Sequence, residues 1–329
     1  MDSLFTFGID ATRWLQDIYP QLEGFFQFIS QLGREEFYLA LLPLIYWCLD
    51  KRFGKQLAYV FLTATAFNAM LKHAFRGPRP YWLESSIGLS QEESYGVPSG
   101  HTQLATAFYF MVAVWLRRPW VWLLAILMAL LMGVSRVYLG MHFVHDVGAG
   151  FLIAVLLVVA YILWRRYLEE RFSKRILGYR LMVSAAVPLA LAVIYVGILL
   201  LIGAPDSSVQ WAAFIPDAEL SGMKGMATSF GALLGLSIGI VLEGSRVRFM
   251  AKGPIWKRIT RYIIGFVITV GIWGGLRAVF PSDPLWLALP LRILRYFLTL
   301  LWIGLYAPMS FVRLGLAEVE PDPGITMTM

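Results

Sequence analysis

Long apolar runs separated by short charged segments recur from about residue 36 to residue 312. Nine of them read as membrane helices: 36–49, 55–74, 100–116, 119–138, 146–164, 181–203, 225–242, 261–279 and 290–312. A helix needs about 20 mostly apolar residues to cross the hydrocarbon core, and in lipid its backbone must satisfy itself. The alternating strands of a membrane barrel are missing from the pattern. The chain is therefore expected to be all-α, a polytopic membrane helical bundle of about nine transmembrane helices. The first run is short, and residues around Gly33 extend it. Residues 3–31 mix Trp14, Leu15, Phe25, Phe26 and Phe28 with Asp10, Arg13, Asp17 and Glu23, the pattern of helices lying in the membrane surface. A charged link near 165–180 divides the rest. Three regions result: N-terminal interfacial helices at 1–35, a core at 36–166, and a C-terminal four-helix membrane region at 167–329. No internal repeat stands out.

Composition supports the membrane reading. Of 329 residues, 58% are hydrophobic and 15% charged, and the mean hydropathy is +0.66; a soluble domain is nearer a quarter charged. The one cysteine, Cys48, lies in an apolar run and excludes an intrachain disulfide. The net charge of +7 does not call for nucleic acid, because the cations cluster between spans. Loops after the first, third, fifth and seventh runs carry 17 Lys and Arg. The positive-inside rule puts that side in the cytoplasm. The N-terminus is then outside and the C-terminus inside. Met1-Asp-Ser-Leu-Phe-Thr lacks the basic start and apolar core of a cleavable signal.

Three polar islands interrupt the apolar sequence: Lys72-His-Ala-Phe-Arg-Gly-Pro-Arg79-Pro80, Pro98-Ser99-Gly100-His101, and Ser135-Arg136 through His142 to Asp146. The alternation of spans carries all three to one face, the extracytoplasmic one. Charged groups are held at such depth when they have partners or a function. Lys72, Arg79 and Arg136 supply fixed positive charge, and a guanidinium fork suits phosphate oxygens. Ser99 and Gly100 open a helix whose N–H groups and positive dipole end favour an anion, with Ser99 as its cap. His142 and Asp146, four apart, share a helix face. Asp146 can hold one imidazole nitrogen and leave the other as a nucleophile. His101 then serves as general acid and base. The chemistry calls for no metal and no cofactor. The catalytic set is His142, His101 and Asp146; the phosphate-binding set is Lys72, Arg79, Ser99, Gly100 and Arg136.

The spacing Lys-x6-Arg-Pro, Pro-Ser-Gly-His and Ser-Arg-x5-His-x3-Asp resembles the three signature motifs of the type 2 phosphatidic acid phosphatase superfamily. The resemblance covers roughly residues 36–164. It implies a helical core, a histidine nucleophile at His142 and metal-independent dephosphorylation. Gly33-Arg-Glu-Glu-Phe-Tyr, Tyr95-Gly-Val-Pro98 and Tyr138-Leu-Gly-Met-His142 further resemble sphingosine-1-phosphate phosphatases, although Gly100 stands where those usually carry threonine. Nine spans with an outside N-terminus resemble glucose-6-phosphatase.

The expected function is hydrolysis of a lipid phosphate monoester or diphosphate, with the phosphorylated lipid and membrane lipids as partners and no nucleic acid. Transfer of the phosphate to another acceptor, a soluble sugar phosphate as substrate, and a non-catalytic lipid-binding role are the alternatives. The vanadate-binding haloperoxidases of the superfamily are soluble, which disfavours that branch. Outside the islands the expectations are plain. His73 and Arg76 are solvated at the surface, Tyr81 and Trp82 anchor the interface, and His145 is interfacial. Residues 75–97 lid the site, and Asp217, Glu219 and Lys224 sit in an outside loop.

Overall fold

A computed structural model describes residues 3–321, with the side chains of residues 35 and 36 excepted. The start at Met1-Asp2 and the two glutamates after Arg34 lie outside that description. Helices account for every regular element among the described residues, apart from one isolated bridge between Phe249 and Val319. The protein is an all-α membrane bundle. Six described helical segments are long and apolar enough to cross a membrane: Pro119–Tyr138, Val144–Tyr167, Leu177–Ile202, Ala212–Arg246, Ile255–Val279 and Leu285–Arg313. A shorter apolar one covers Phe37–Leu49. The expected spans at 55–74 and 100–116 do form helices. The first carries Asn68, Lys72 and His73 in its length, and the second is only 17 residues long. Length and composition thus support six crossings, and the expected nine is not established.

The helices are α1 (Ser3–Ile18), α2 (Glu23–Gln31), α3 (Glu35–Leu44), α4 (Lys51–Phe75), α5 (Pro80–Leu83), α6 (Gly100–Leu116) and α7 (Pro119–Tyr138). They continue as α8 (Val144–Tyr167), α9 (Glu169–Ser173), α10 (Leu177–Ile202), α11 (Ile215–Arg246), α12 (Ile255–Val279), α13 (Leu285–Leu301) and α14 (Ala307–Arg313). They form two compact units. The first holds the chain up to Phe37, Val60–Glu169 and Leu191–Met226; the second holds Tyr38–Tyr59, Glu170–Ala190 and the chain from Ala227 onward.

In the first unit α6 packs on both α7 and α8. Its inner face is almost wholly buried, from Leu104 and Ala105 to Ala113, so its apolar sequence is spent on protein contacts. The N-terminal helices belong to this unit. Ile9, Phe26 and Ile29 are buried, and Thr12 Oγ1 donates to the Val137 carbonyl at 3.1 Å. Tyr81 and Trp82, expected at the membrane surface, are instead core residues, with Trp82 stacked on Phe214 at 5.0 Å. Two aromatic rings bury more area against each other than either would at an interface.

In the second unit α11 and α13 approach closely. A Cβ added at Gly231 or Gly235 would lie 2.3 or 2.2 Å from the carbonyl oxygen of Ile293 or Phe297. Small residues four apart allow this contact, the usual device for helix pairing in lipid. Trp47 donates to the Ile303 carbonyl at 3.0 Å. Lys51 pairs with the fully buried Glu243 at 2.8 Å, a charge that needs such a partner.

Candidate active site

The three islands converge in the first unit. Lys72 lies in the last turn of α4, Ser99 caps α6, Arg136 lies in the last turn of α7, and Asp146 in the first turn of α8. Each sits at a helix end because the apolar run that drives the helix stops there. Lys72, Arg79, Ser99, Arg136, His142 and Asp146 are all buried.

Asp146 does two things. Its Oδ2 accepts the Phe143 N–H at 3.0 Å, closing the start of α8. The same oxygen lies 3.3 Å from His142 Nδ1. A carboxylate there keeps the ring proton on Nδ1 and leaves the lone pair on Nε2. Arg79 Nη1 stands 3.2 Å from that Nε2 and donates to the Met141 carbonyl at 3.0 Å. Burial holds the His142 imidazolium well below its ordinary range, and Arg79, Lys72 and Arg136 add to the effect. The ring is therefore neutral at physiological pH. His145, partly exposed, reaches the other oxygen of Asp146 at 3.2 Å.

A cavity of about 600 Å³ opens beside these groups. Lys72, His101, Arg136 and Gly100 line it, whereas His142 and Arg79 lie fully buried behind it. Ser99 does not reach the cavity. Its hydroxyl accepts from Thr102 N at 3.4 Å and pairs with the Thr102 hydroxyl at 3.0 Å, so it caps the helix as expected. His101 is walled by Gly33, where an added Cβ would lie 2.7 Å from its Cδ2.

One residue at the centre of the site was not foreseen. Glu92, in the loop between the first two islands, bonds Arg136 Nη2 at 2.5 Å and Arg79 Nη2 at 2.8 Å, with His101 Nδ1 at 3.5 Å. Burial opposes ionisation of its carboxyl, but Arg136 and Arg79 overcome this and hold it well below the carboxylate range. The 75–97 segment thus enters the site and places an anion among the cations. Ser30 on α2 is a second unforeseen partner: its hydroxyl accepts from Arg136 Nη1 at 2.6 Å. No local pattern marks either residue, since each is defined only by a distant arginine.

Two further expectations are corrected. His73 is 1% exposed, and its Nδ1 meets the Tyr195 hydroxyl at 2.7 Å. Arg76 grips both oxygens of Glu219, at 2.9 and 3.1 Å. Neither is solvated, because α10 and α11 cover this end of α4. Asp217, Glu219 and Lys224 lie in α11 and not in a loop, since the helix starts ten residues before the apolar run.

Two regions of the chain match known families. The PAP2 superfamily matches residues 53–170, and the transmembrane extension of PAP2 superfamily phosphatases matches residues 227–319. Sphingosine-1-phosphate phosphatase 2 from Mus musculus is 32% identical over 151 residues, 42% of this chain and 42% of that protein. The chain thus spans less than half the length of that relative. Phosphatidylglycerophosphatase B from Bacillus subtilis (strain 168) is 30% identical over 174 residues, 49% of this chain and 80% of that one. Glucose-6-phosphatase catalytic subunit 1 from Bos taurus is 26% identical over 298 residues, 78% of this chain and 80% of that one. With both family regions matched and a 30% identical relative covered over 80% of its length, the chain belongs to the PAP2 superfamily.

Proposed function

We propose that this integral membrane protein hydrolyses a lipid phosphate monoester or diphosphate, through a phosphohistidine on His142 and without a metal. The observation that carries the reading is a single imidazole with Asp146 at Nδ1 and a guanidinium at Nε2. Lys72, Arg79, Arg136 and the α6 N-terminus at Gly100 hold the phosphoryl oxygens in place of Glu92, while Ser99, expected as a phosphate ligand, only caps that helix, its N–H donating to the Asp146 carbonyl at 3.0 Å and its hydroxyl engaged by Thr102. His142 Nε2 forms a bond to phosphorus as the ester P–O bond breaks, and His101 gives its proton to the leaving oxygen. His101 then takes a proton from water, the new hydroxide attacks phosphorus, the N–P bond breaks and inorganic phosphate leaves. The bound dianion itself favours a protonated His101, because it adds negative charge beside the ring. Fixed cations around the equatorial oxygens supply the main electrostatic gain. The site faces the extracytoplasmic side, on the strength of the cation-rich loops opposite.

Purified protein is expected to release inorganic phosphate from phosphatidate, a sphingoid phosphate or a polyprenyl diphosphate with EDTA present. His142→Ala that folds normally and keeps full activity on the best substrate overturns the mechanism. A newly phosphorylated acceptor in place of free phosphate identifies a phosphotransferase. The cavity favours one other reading. Gln27, Gln31, Arg34, Asn68 and Ser221 line it beside the phosphate groups, a polar wall suited to a hydroxyl-rich moiety such as a sugar phosphate. Glucose 6-phosphate therefore belongs in the same panel.

A further inference from the structure

The phosphate cradle hangs on Ser94 and Tyr95, which lie outside the three polar islands. The Tyr95 carbonyl accepts from Lys72 Nζ and from Arg79 Nη2, the latter at 3.2 Å. The Ser94 hydroxyl accepts from Lys72 at 3.2 Å and from Arg79 at 2.9 Å, and the Ser94 carbonyl takes Arg79 Nε at 2.6 Å. Residues 94 and 95 thus provide the acceptors that decide where two of the three cations point. The next residue packs tightly: a Cβ on Gly96 would lie 2.4 Å from the Pro78 carbonyl oxygen and 3.2 Å from Asp146 Oδ2.

The hydroxyl of Tyr95 leads away from the cavity. It donates to Glu219 Oε1 at 2.7 Å. Burial pushes this hydroxyl's pKa up, and the bond to Glu219 adds to that, so it stays a donor. Glu219 is also gripped twice by Arg76. His73 Nε2 lies 3.0 Å from its other oxygen, without the alignment of a hydrogen bond. Arg76 occupies the left-handed region at φ 48°, a conformation few non-glycine residues adopt without external support. Its side chain is held there by Glu219 and by the Gly203 carbonyl at 2.9 Å. The cluster leaves no space for a ligand beside His73, because a Cβ on Gly222 would lie 2.5 Å from His73 Nδ1. Tyr195 and Glu219 fall in residues 171–226, between the two regions matched to known families.

We infer that Glu219 is a positioning residue for the phosphate site, acting through the Tyr95 hydroxyl on the backbone acceptors that orient Lys72 and Arg79. The inference rests on the reading of these two cations as phosphate ligands. Catalysis by fixed charge depends on orientation set before substrate arrives. A cation free to swing loses part of its grip even when its charge is unchanged. The lever is a single hydroxyl on a charged acceptor, so its loss is expected to weaken phosphate binding about tenfold.

The test uses the full chain in detergent with orthovanadate as the phosphate probe. Its binding is followed by thermal shift, and phosphate release is measured on the best substrate. Tyr95→Phe removes one oxygen from a buried ring and is the decisive variant; Glu219→Leu, which removes the acceptor, is the second. Each is expected to weaken vanadate about tenfold and to raise KM more than it lowers kcat. The double variant is expected to be no worse than the weaker single one, because both cut the same connection. Tyr195→Phe, at the far side of His73, is expected to lower melting temperature and leave vanadate affinity unchanged. Wild-type vanadate affinity and KM in Tyr95→Phe overturn the inference, even if its melting temperature falls. Should the wild-type protein bind no vanadate and release no phosphate from any ester, the phosphatase reading falls first, a result visible without any variant.

Discussion

Arg79 touches both His142 and Glu92: one terminal nitrogen lies 3.2 Å from the imidazole Nε2 and the other 2.8 Å from the Glu92 carboxylate. A single guanidinium thus joins the buried His142 imidazole to the Glu92 carboxylate at the cavity. On the proposed reaction, phosphate entering the cradle displaces Glu92 from Arg79 and Arg136, and Arg79 then holds a phosphoryl oxygen beside His142 Nε2.

Glu92→Gln is therefore expected to tighten phosphate and vanadate binding severalfold, because the competing anion is gone. It is also expected to lower the melting temperature of the substrate-free protein, since two buried guanidinium groups lose their counter-charge. Millimolar phosphate restores that loss by mass action. Product-inhibition kinetics and thermal shift check both. Unchanged phosphate inhibition defeats the displacement argument.

Asp146→Asn keeps the shape of the α8 start but presents an amide to His142 Nδ1. The ring is then free to adopt the wrong tautomer. A loss in kcat of roughly a thousandfold is expected, with far less change in KM. His145→Gln, at a ring that stacks on Phe143 at 5.3 Å and meets Asp146 only at its outer oxygen, is expected to stay within about tenfold of wild type, the scale of one net polar contact. Steady-state kinetics on the same substrate separate the two.

Acid is expected to destabilise the protein in two steps. Below about pH 6.5 an unfolded chain takes up a proton on His142 that the folded site refuses, so stability rises with pH in that range. Below about pH 4.3 the same holds for Glu92, whose folded carboxyl stays ionised beside Arg136 and Arg79. Melting temperature is measured from pH 7 down to pH 3, across both windows. Glu92→Gln flattens the lower part, and His142→Gln the upper part. Variant profiles that run parallel to wild type contradict both directions.

Ser30→Ala removes the acceptor for Arg136 Nη1 and tests whether α2 serves the site. A fall of about tenfold in kcat/KM is expected, the scale of one hydrogen bond to a buried charge. Wild-type kinetics in this variant reduce α2 to a covering helix.

The three islands were readable because charge is rare in this sequence, so each cation or histidine at the end of an apolar run stands out. His142 and Asp146 were readable as a pair from their separation of four, but they do not share a helix face: α8 starts at Val144, and His142, just before its cap, meets Asp146 across the helix N-terminus. Glu92 was not, since nothing in Gln91-Glu92-Glu93 tells a surface carboxylate from one between two arginines. His73 and Arg76 misled for a related reason. A cation at the end of a span ordinarily reaches for water, and only the later helices α10 and α11 turn that end inward. Tyr81 and Trp82 followed the interfacial rule for aromatics, which loses to Phe214 once α11 is in place. Six crossings, and not nine, follow from length and composition because α4 carries Asn68, Lys72 and His73, α6 is 17 residues long and Phe37–Leu49 is shorter still.

The bond from Tyr95 to Glu219 joins residues 124 positions apart. During synthesis the three motifs emerge from the ribosome well before the carboxylate that secures them. A fragment cut to the 53–170 match alone would keep every signature residue and lack this anchor. The minimal domain drawn from the motifs is thus smaller than the shortest chain able to complete its own pocket.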